Sequence, residues 1–550
     1  MTLKKRLIIF SLIIVTGLGT IAFQSPDNKY FEIARNLDIF ATLFKEVNAY
    51  YVDEIDPEEL VTTGVNAMLA SLDPYTVYIP EESLEDYKTM TTGLYGGIGA
   101  LVGEINNRTV VSMLYEGYGA HKAGIKIGDE LIEIDGVNIK GEETGEATEL
   151  LKGSPGTRVS IKVKRLGEEG VLEFSFDRET IHISNVPFHN NITKDIGYIR
   201  LSDFTLGASR EVEKAVKELK NKGAQKLILD LRSNPGGLLS EAINISNLFI
   251  PKGEDVVSTK GKNQDWNKVY KSLNQPIDKE IPIVVLINNM SASASEIVAG
   301  VIQDYDRGVL IGRRTFGKGL VQSTRQLSYN TQLKVTTAKY YIPSGRCIQA
   351  INYATRNPDG SVSHIPDSLK VEFKTKNDRK VYDGGGLVPD MSIEGSLWSD
   401  LAINLLQTGM IFDYANEYYL ENKEIEEPSK FKISEQEYDE FMLWLDEKEY
   451  AYTTNLESTV KSLIETAKEE SISEEVNEKL EEINLKLDSA KQQDFVVFRA
   501  EIMRLLQQEI VSRYYLFKGD IEASLVADKD MSAAIDLLSD LKKYDSMLAN

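Results

Sequence analysis

The sequence predicts a multidomain α+β chain, with an α/β body on parallel strands, a small β module inserted ahead of it and helices at both ends. Three observations predict it. At 550 residues the chain is too long for one hydrophobic core, so three or four domains are expected. Between residues 196 and 302 apolar β-branched runs alternate with helical patterns, as parallel strands joined by helical crossovers do. Outside that body lie one stretch of short strand-like runs between glycine turns (93–178) and two stretches of purely helical periodicity.

Composition bounds the function. A hydrophobic content of 42% is ordinary for globular protein. The formal net charge of −23 excludes a general nucleic-acid binder, which needs a basic face. Much of the acidic excess falls after residue 400, in runs such as Glu424-Ile425-Glu426-Glu427, which read as solvated helix faces. The single cysteine, Cys347, permits no intrachain disulfide and no cysteine metal cluster. Four histidines (His121, His182, His189, His364) lack ligand-type spacing, so neither metal nor cofactor is expected.

Taken in order, Lys4-Lys5-Arg6 precedes an uncharged apolar run over 7–23. Basic charge followed by such a run is a secretory signal peptide or a signal anchor. No cysteine follows it, so a lipoprotein anchor is excluded. The working polypeptide is expected outside the cytoplasm, either free or tethered to a membrane. Residues 30–80 predict two helices. Ile33, Leu37, Phe40, Leu43, Phe44 and Val47 share a face of the first; Asp56-Pro57 opens the second, and Pro74 forbids its continuation. Two uses stand open for this pair: packing on the main body, or a homodimer contact.

Residues 93–178 predict strands near 98–102, 110–113, 130–134, 159–164 and 171–176, and a helix over 143–151. The run from Ala123-Gly124 through Gly128-Asp129 to Asp135-Gly136 resembles the core of the PDZ fold. In that family a glycine-rich loop offers backbone N–H groups to a peptide's C-terminal carboxylate, and the peptide adds as a strand. The matching loop is Gly96-Gly97-Ile98-Gly99. Residues 80–92 link this module to what precedes it.

The body spans 185–395. Strands are expected at 196–201, 226–231 and 281–287, with helices over 211–220, 238–249 and 296–302. Loops at the ends of such strands commonly build active sites. One of them, Asn288 to Glu296, holds Ser291, Ser293 and Ser295 at a helix start. Unpaired N–H groups and the helix dipole favour negative charge there, although capping is the plainer use of a serine at that place. A nucleophilic serine needs a base, and no histidine has a triad-like setting. Lysine serves when apolar surroundings keep it neutral. Lys318 lies between Gly317 and Gly319 with no adjacent acid. In an extended segment Leu320 and Gln322 share its face, so Gln322 is expected to orient the amine. The same stretch contains the G-x-x-x-x-G-K part of a phosphate loop, but Gly319 replaces the required Ser or Thr and no helical pattern follows. Upstream, Asp230-Leu231-Arg232-Ser233-Asn234-Pro235-Gly236-Gly237 precedes a helix. An oxyanion donor is expected from Gly237, with Gly236 beside it, paired with the Ala294 amide. One such donor contributes roughly 3–4 kcal/mol in a transition state.

Together "SASASE", "FGKG.VQ", "DLR.NPGG", "YY.PSGR" and "GG..PD" resemble the carboxyl-terminal processing proteases, the Ser/Lys peptidases of family S41. The resemblance covers about residues 30–395. It implies a crotonase-like catalytic body with an inserted PDZ module, acting on proteins with free, apolar C-termini in a bacterial periplasm or cell envelope. It implies Ser293 as nucleophile, Lys318 as general base and Gln322 as the orienting residue. Some members are credited with an intervening acid, whose place is taken by Asp304. Two rival readings carry different chemistry: a PDZ scaffold that binds C-termini without cleaving, and a Ser/Lys amidase acting on non-protein bonds. An insertion at 350–383 and the acidic helical region 396–550 lie outside the shared pattern, and the resemblance gives that region no role.

Overall fold

The computed structural model describes residues 27–139, 144–357, 359–395, 398–448, 450, 452–470 and 474–549. The apolar run over 7–23 lies outside these residues. Among those described, no helix is long and apolar enough to cross a membrane. The chain divides into two units, Met1–Tyr78 and Ile79–Asn550. In the first, two helices form as expected, Asp27–Tyr50 and Pro57–Ala70. The Asp56 carboxylate caps the second by accepting from the Glu58 and Glu59 amides, and Pro57 occupies the first turn, where its missing N–H costs nothing.

In the second unit the PDZ module is an antiparallel sheet. Its order is Ala100–Ile105, Arg108–Leu114, Glu130–Ile134, Arg158–Lys164, Leu172–Asp177. The alternating apolar residues Val110, Leu131, Ile134, Val159, Ile161 and Val163 point into one core, closed by Ala147 and Leu151 of the helix Thr144–Leu151. A short ribbon, Leu94–Gly97 paired with Glu179–His182, brings the two ends of the module together.

The catalytic body is built on a six-stranded sheet: Phe188–Asn191, Ile196–Arg200, Lys226–Asp230, Ile283–Ile287, Val309–Gly312, Met391–Ser392. All neighbours are parallel except the first pair. Parallel strands are covered on both faces, and so read as unbroken apolar runs. One face carries the helices Ala208–Asn221, Leu239–Asn247 and Ala294–Asp304. The other buries Tyr198, Ile228, Val284, Leu286, Val309 and Ile311 against Met531, Ala534, Leu537, Leu538 and Tyr544. The acidic helical region therefore supplies the second wall of the catalytic sheet. A second, antiparallel sheet contains Lys268–Lys271, Asp255–Gly261, Gln332–Tyr341 and Leu320–Gln326. The insertion forms two small hairpins, Ile351–Arg356 with Val362–His364 and Glu372–Lys374 with Lys380–Tyr382.

The C-terminal helices have their own core, including Leu401, Leu405, Tyr414, Phe441, Ile502, Leu506 and Ile510. They also reach the PDZ module. Phe412 is buried in its core, and Leu516 packs there from a break in the long helix Arg499–Ser524, with φ 55° and ψ −151°. Arg108 and Asp413 join the same two parts through a bidentate ion pair at 2.8 Å.

Candidate active site

The turn 288–295 and the loop 231–237 are tied to each other by backbone and side-chain bonds. Asn288 Oδ1 accepts the Ser233 amide (2.9 Å), and the Asn234 carbonyl accepts the Ala292 amide (3.0 Å). Asn234 Nδ2 donates to the Leu201 carbonyl at 2.7 Å, fixing the loop to the neighbouring strand end. The three serines separate cleanly in this frame. The Ser291 hydroxyl is fully buried, donates to the Leu231 carbonyl (2.8 Å) and accepts from the Asn288 amide (2.9 Å). The Ser295 hydroxyl is equally buried and donates to the Asn234 carbonyl (3.0 Å). Both serve the architecture. Ser293 alone of the three is partly exposed, and it sits at φ 55°, ψ −111°, outside the ordinary regions for a non-glycine residue. Such strain persists only where the surroundings over-determine it, and it concentrates at functional positions. The helix cap falls at Ser293, not at Ser295, which lies inside the first turn.

The surroundings that hold Ser293 centre on Glu296, which completes a capping box with Ser293 but carries no local mark of its tie to the lysine loop. Glu296 is completely buried in the first turn of the helix Ala294–Asp304. Its Oε2 accepts the amides of Ser293 (2.8 Å) and Lys318 (2.9 Å); its Oε1 accepts the Gly317 amide (2.8 Å) and the Thr315 hydroxyl (2.5 Å). One carboxylate thus joins the serine turn to the lysine loop. The Tyr340 hydroxyl makes a second bridge, to the carbonyls of Ser293 and Lys318. Burial pushes the Glu296 carboxyl up while its four donors pull it down, and the balance lies at about 7. A carboxylate between a helix start and a glycine loop has no signature of its own in one sequence, beyond standing three residues after Ser293.

Lys318 is half-buried in an irregular segment, and the strand begins only at Leu320. The register shifts between Val321 and Gln322. The extra residue, Thr337, lies on the partner strand Gln332–Tyr341, so alternation along Leu320–Gln326 is kept, and Lys318 stands before that strand begins. Gln322 Nε2 donates to the Thr336 hydroxyl at 3.2 Å.

The glycine pair divides by its hydrogen bonds. The Gly236 amide donates to Asn234 Oδ1 (2.9 Å), whereas the Gly237 and Ala294 amides donate no hydrogen bond among the described residues. Gly237, at φ 153°, is the one with a donor to spare. Gly236 is needed for space. At φ 98° a Cβ there would lie 2.7 Å from the Ala292 carbonyl oxygen and 2.9 Å from Ser293 Cβ. Gly236→Ala is expected to cost about 1–3 kcal/mol in urea unfolding. Displacing Ser293 should also lower kcat by about a hundredfold, the scale of a misplaced reacting group.

Asp304 does not belong to this cluster. It ends the 11-residue helix that Ser293 begins, about 15 Å along the axis. Its carboxylate, raised by burial, pairs with Arg346 (2.7 Å) and accepts the Ser344 amide (2.9 Å). The PSGR turn is what it holds, so the charge-relay expectation is withdrawn.

In the PDZ module Gly96 and Gly97 are strand residues, paired with Thr180 and Glu179. The amides of Ile98 and Gly99 donate no hydrogen bond among the described residues, while their carbonyls accept from Ala120 and Tyr115. Beside them a cavity of about 380 Å³ runs between Ala100, Leu101 and Val102 on the strand and Thr148, Leu151 and Lys152 at the helix. Met90 and Asp86 form its third side, and Asp86 pairs with Lys152 at 2.8 Å. Ile98 of the loop is part of the cavity lining.

Comparison with known proteins agrees with this layout. The family description "Peptidase family S41" matches residues 195–358, "PDZ domain" matches 110–165, and "Probable PDZ-protease, C-terminal helical domain" matches 401–538. The carboxy-terminal-processing protease of Bartonella bacilliformis is 37% identical over 368 residues, covering 66% of this chain and 82% of that protein. The carboxy-terminal processing protease CtpA of Bacillus subtilis is 31% identical over 363 residues, covering 63% and 76%. Among solved structures, a photosystem II D1 C-terminal processing protease aligns at a TM-score of 0.35 and 24% identity, over 64% of this chain and 92% of that one.

Proposed function

The chain belongs to the carboxy-terminal processing proteases, serine peptidases with a PDZ domain, and from that premise we propose an exported endopeptidase that works through Ser293 and Lys318. The observation that carries this reading is the Glu296 carboxylate, which accepts the backbone amides of both residues and so fixes their separation. Export rests on the basic residues and apolar run at 4–23.

In this reading a substrate's C-terminal carboxylate meets the amides at Ile98–Gly99, and its last residues add as a strand along Ala100–Ile105. The chain upstream is led to the serine turn. Neutral Lys318 takes the Ser293 hydroxyl proton as the oxygen attacks the scissile carbonyl. The amides of Gly237 and Ala294 hold the oxyanion, and Lys318 returns the proton to the leaving amine. Lys318 then activates water to release the acyl group. Gln322 supports the lysine from the adjoining strand.

The test uses an unstructured protein substrate ending in apolar residues, with and without amidation of its C-terminus. Lys318→Ala is expected to lower kcat by about 10³-fold or more, a general base's contribution combined with loss of the nucleophile's activation. Amidation should raise KM by about tenfold, the loss of one charge-assisted site. Turnover by Lys318→Ala at the wild-type rate would refute the dyad; indifference to amidation would refute carboxylate capture.

A further inference from the structure

We propose that the C-terminal helical domain takes part in catalysis, because Asp528 and Asp530 position Arg232 and, through it, the loop that carries the oxyanion donor. The inference rests on the Ser293 and Lys318 reading above. Arg232 divides its guanidinium between two parts of the chain. Nε and Nη2 lie on Asp230 at 3.0 and 2.7 Å, within the catalytic sheet. Nη1 faces Asp528 at 2.6 Å and Asp530 at 3.0 Å, at the start of the helix Lys529–Ser539. The three side chains are mostly buried. Asp230 is fully buried and also receives the Tyr198 hydroxyl (2.8 Å) and Arg200 (3.1 Å). Asp230 therefore serves two arginines, and among the described residues the second half of Arg232 is answered from the C-terminal domain.

What Arg232 controls follows from its place in the chain. It is the last residue before a stretch in which Ser233, Gly236 and Gly237 all take positive φ. Conformations of that kind persist only where the surroundings over-determine them. Asn234 is fixed against Leu201 and Ala292, and the far end by the Leu238 amide, which donates to the Phe204 carbonyl. The near end is fixed by Arg232 and by Asn288, which bonds to both the amide and the hydroxyl of Ser233. A loop that lost the Arg232 hold would let the Gly237 amide shift from the position where charge develops, and an oxyanion donor works by being placed beforehand.

The acids are more than a docking contact. Asp528 already spends Oδ1 on the helix start, accepting the amides of Asp530 (2.8 Å) and Met531 (3.2 Å). A neutral residue would cap as well. Its other oxygen is the one that reaches Arg232. A buried ion pair is a poor way to gain stability compared with apolar packing, and its advantage is a fixed geometry.

The experiment compares full-length wild type, Asp528→Asn/Asp530→Asn, Arg232→Met and the triple variant on one unstructured substrate. Asparagine keeps the cap through Oδ1 and the shape; it removes the charge and turns an NH₂ group, a donor, towards Arg232. The double variant is expected to lose about tenfold or more in kcat with KM within about twofold, because the peptide groove is elsewhere. The triple variant should be no slower than Arg232→Met, since acids that act through Arg232 add nothing once it is gone. A wild-type kcat in the double variant overturns the inference, as do additive losses. So does a fall in kcat that merely follows lost folded protein, read from the thermal transition. Ser293→Ala run alongside keeps the two readings apart, because residual turnover there refutes the nucleophile and not the positioning.

Discussion

Ser293→Ala is expected to lower kcat by about 10⁴-fold or more and to leave KM within about twofold. The hydroxyl is the only group lost, and in the proposed mechanism the substrate's C-terminus is captured on the PDZ module. Cleavage is measured by following an unstructured, apolar-tailed protein on gels or by mass spectrometry of its fragments. The neighbouring serines make the contrast sharp. Ser291→Ala and Ser295→Ala each remove a buried hydroxyl that joins two backbone segments. Each should cost about 1–3 kcal/mol of stability, because a buried partner is left unpaired, and each should keep most of its turnover while folded. Active Ser293→Ala protein would end the assignment. So would inactive, well-folded Ser291→Ala or Ser295→Ala.

Glu296→Gln should have the next largest effect, and it reads out in pH. The folded carboxyl lies at about 7 against 4.5 for an unperturbed glutamate, so between those values the folded protein binds a proton that the unfolded chain has lost. Stability from this group is therefore fully present below about 4.5 and declines as the pH rises through about 7, by about 3 kcal/mol in all. Activity should move the opposite way. The ionised carboxylate is the form in which both oxygens only accept, as the donors from Ser293, Thr315, Gly317 and Lys318 require, so kcat rises as pH climbs through about 7. Glutamine cannot reproduce the site. Three of the four donors are backbone amides, and its NH₂ group must face at least one of them. Glu296→Gln is expected to lower kcat by about 10–100-fold, the effect of loosening a positioned group. It should also lose the stability slope between pH 4.5 and 7. Urea unfolding across that range and a pH–rate profile check both. A variant that keeps the wild-type slope would show that another group sets it.

The catalytic sheet was legible because parallel strands buried on both sides must be apolar throughout, as residues 283–287 are, and glycine turns mark their ends. The serine turn, the lysine loop and the glycine pair were legible by the same token, as local segments with local signatures. What escaped is what depends on distance. Glu296 shows its role only once Gly317 and Lys318 fold back on it. The Lys318–Gln322 relation could not be read from alternation alone, because Lys318 stands before the strand that carries Gln322. The tail was read as solvated helices. Its acidic runs are indeed exposed, but Met531, Leu537, Leu538 and Tyr544 face a sheet about which the helical periodicity says nothing. Asp304 was given a catalytic alternative from the family resemblance, and the length of one helix removed it.

The second wall of the catalytic sheet has a consequence for when the enzyme can first act. Tyr544 bonds to the Ile283 backbone across 261 positions, and Asp530 meets Arg232 across 298. Closures over such separations form late, since the chain must surrender most of its freedom before they reward it. A chain emerging amino-end first exposes its serine and lysine segments long before residues 528–544 exist to complete the fold around them. The nascent chain is thus expected to stay latent until residues 528–544 have emerged, so that its unfinished length spares the unfolded chains beside which it is made.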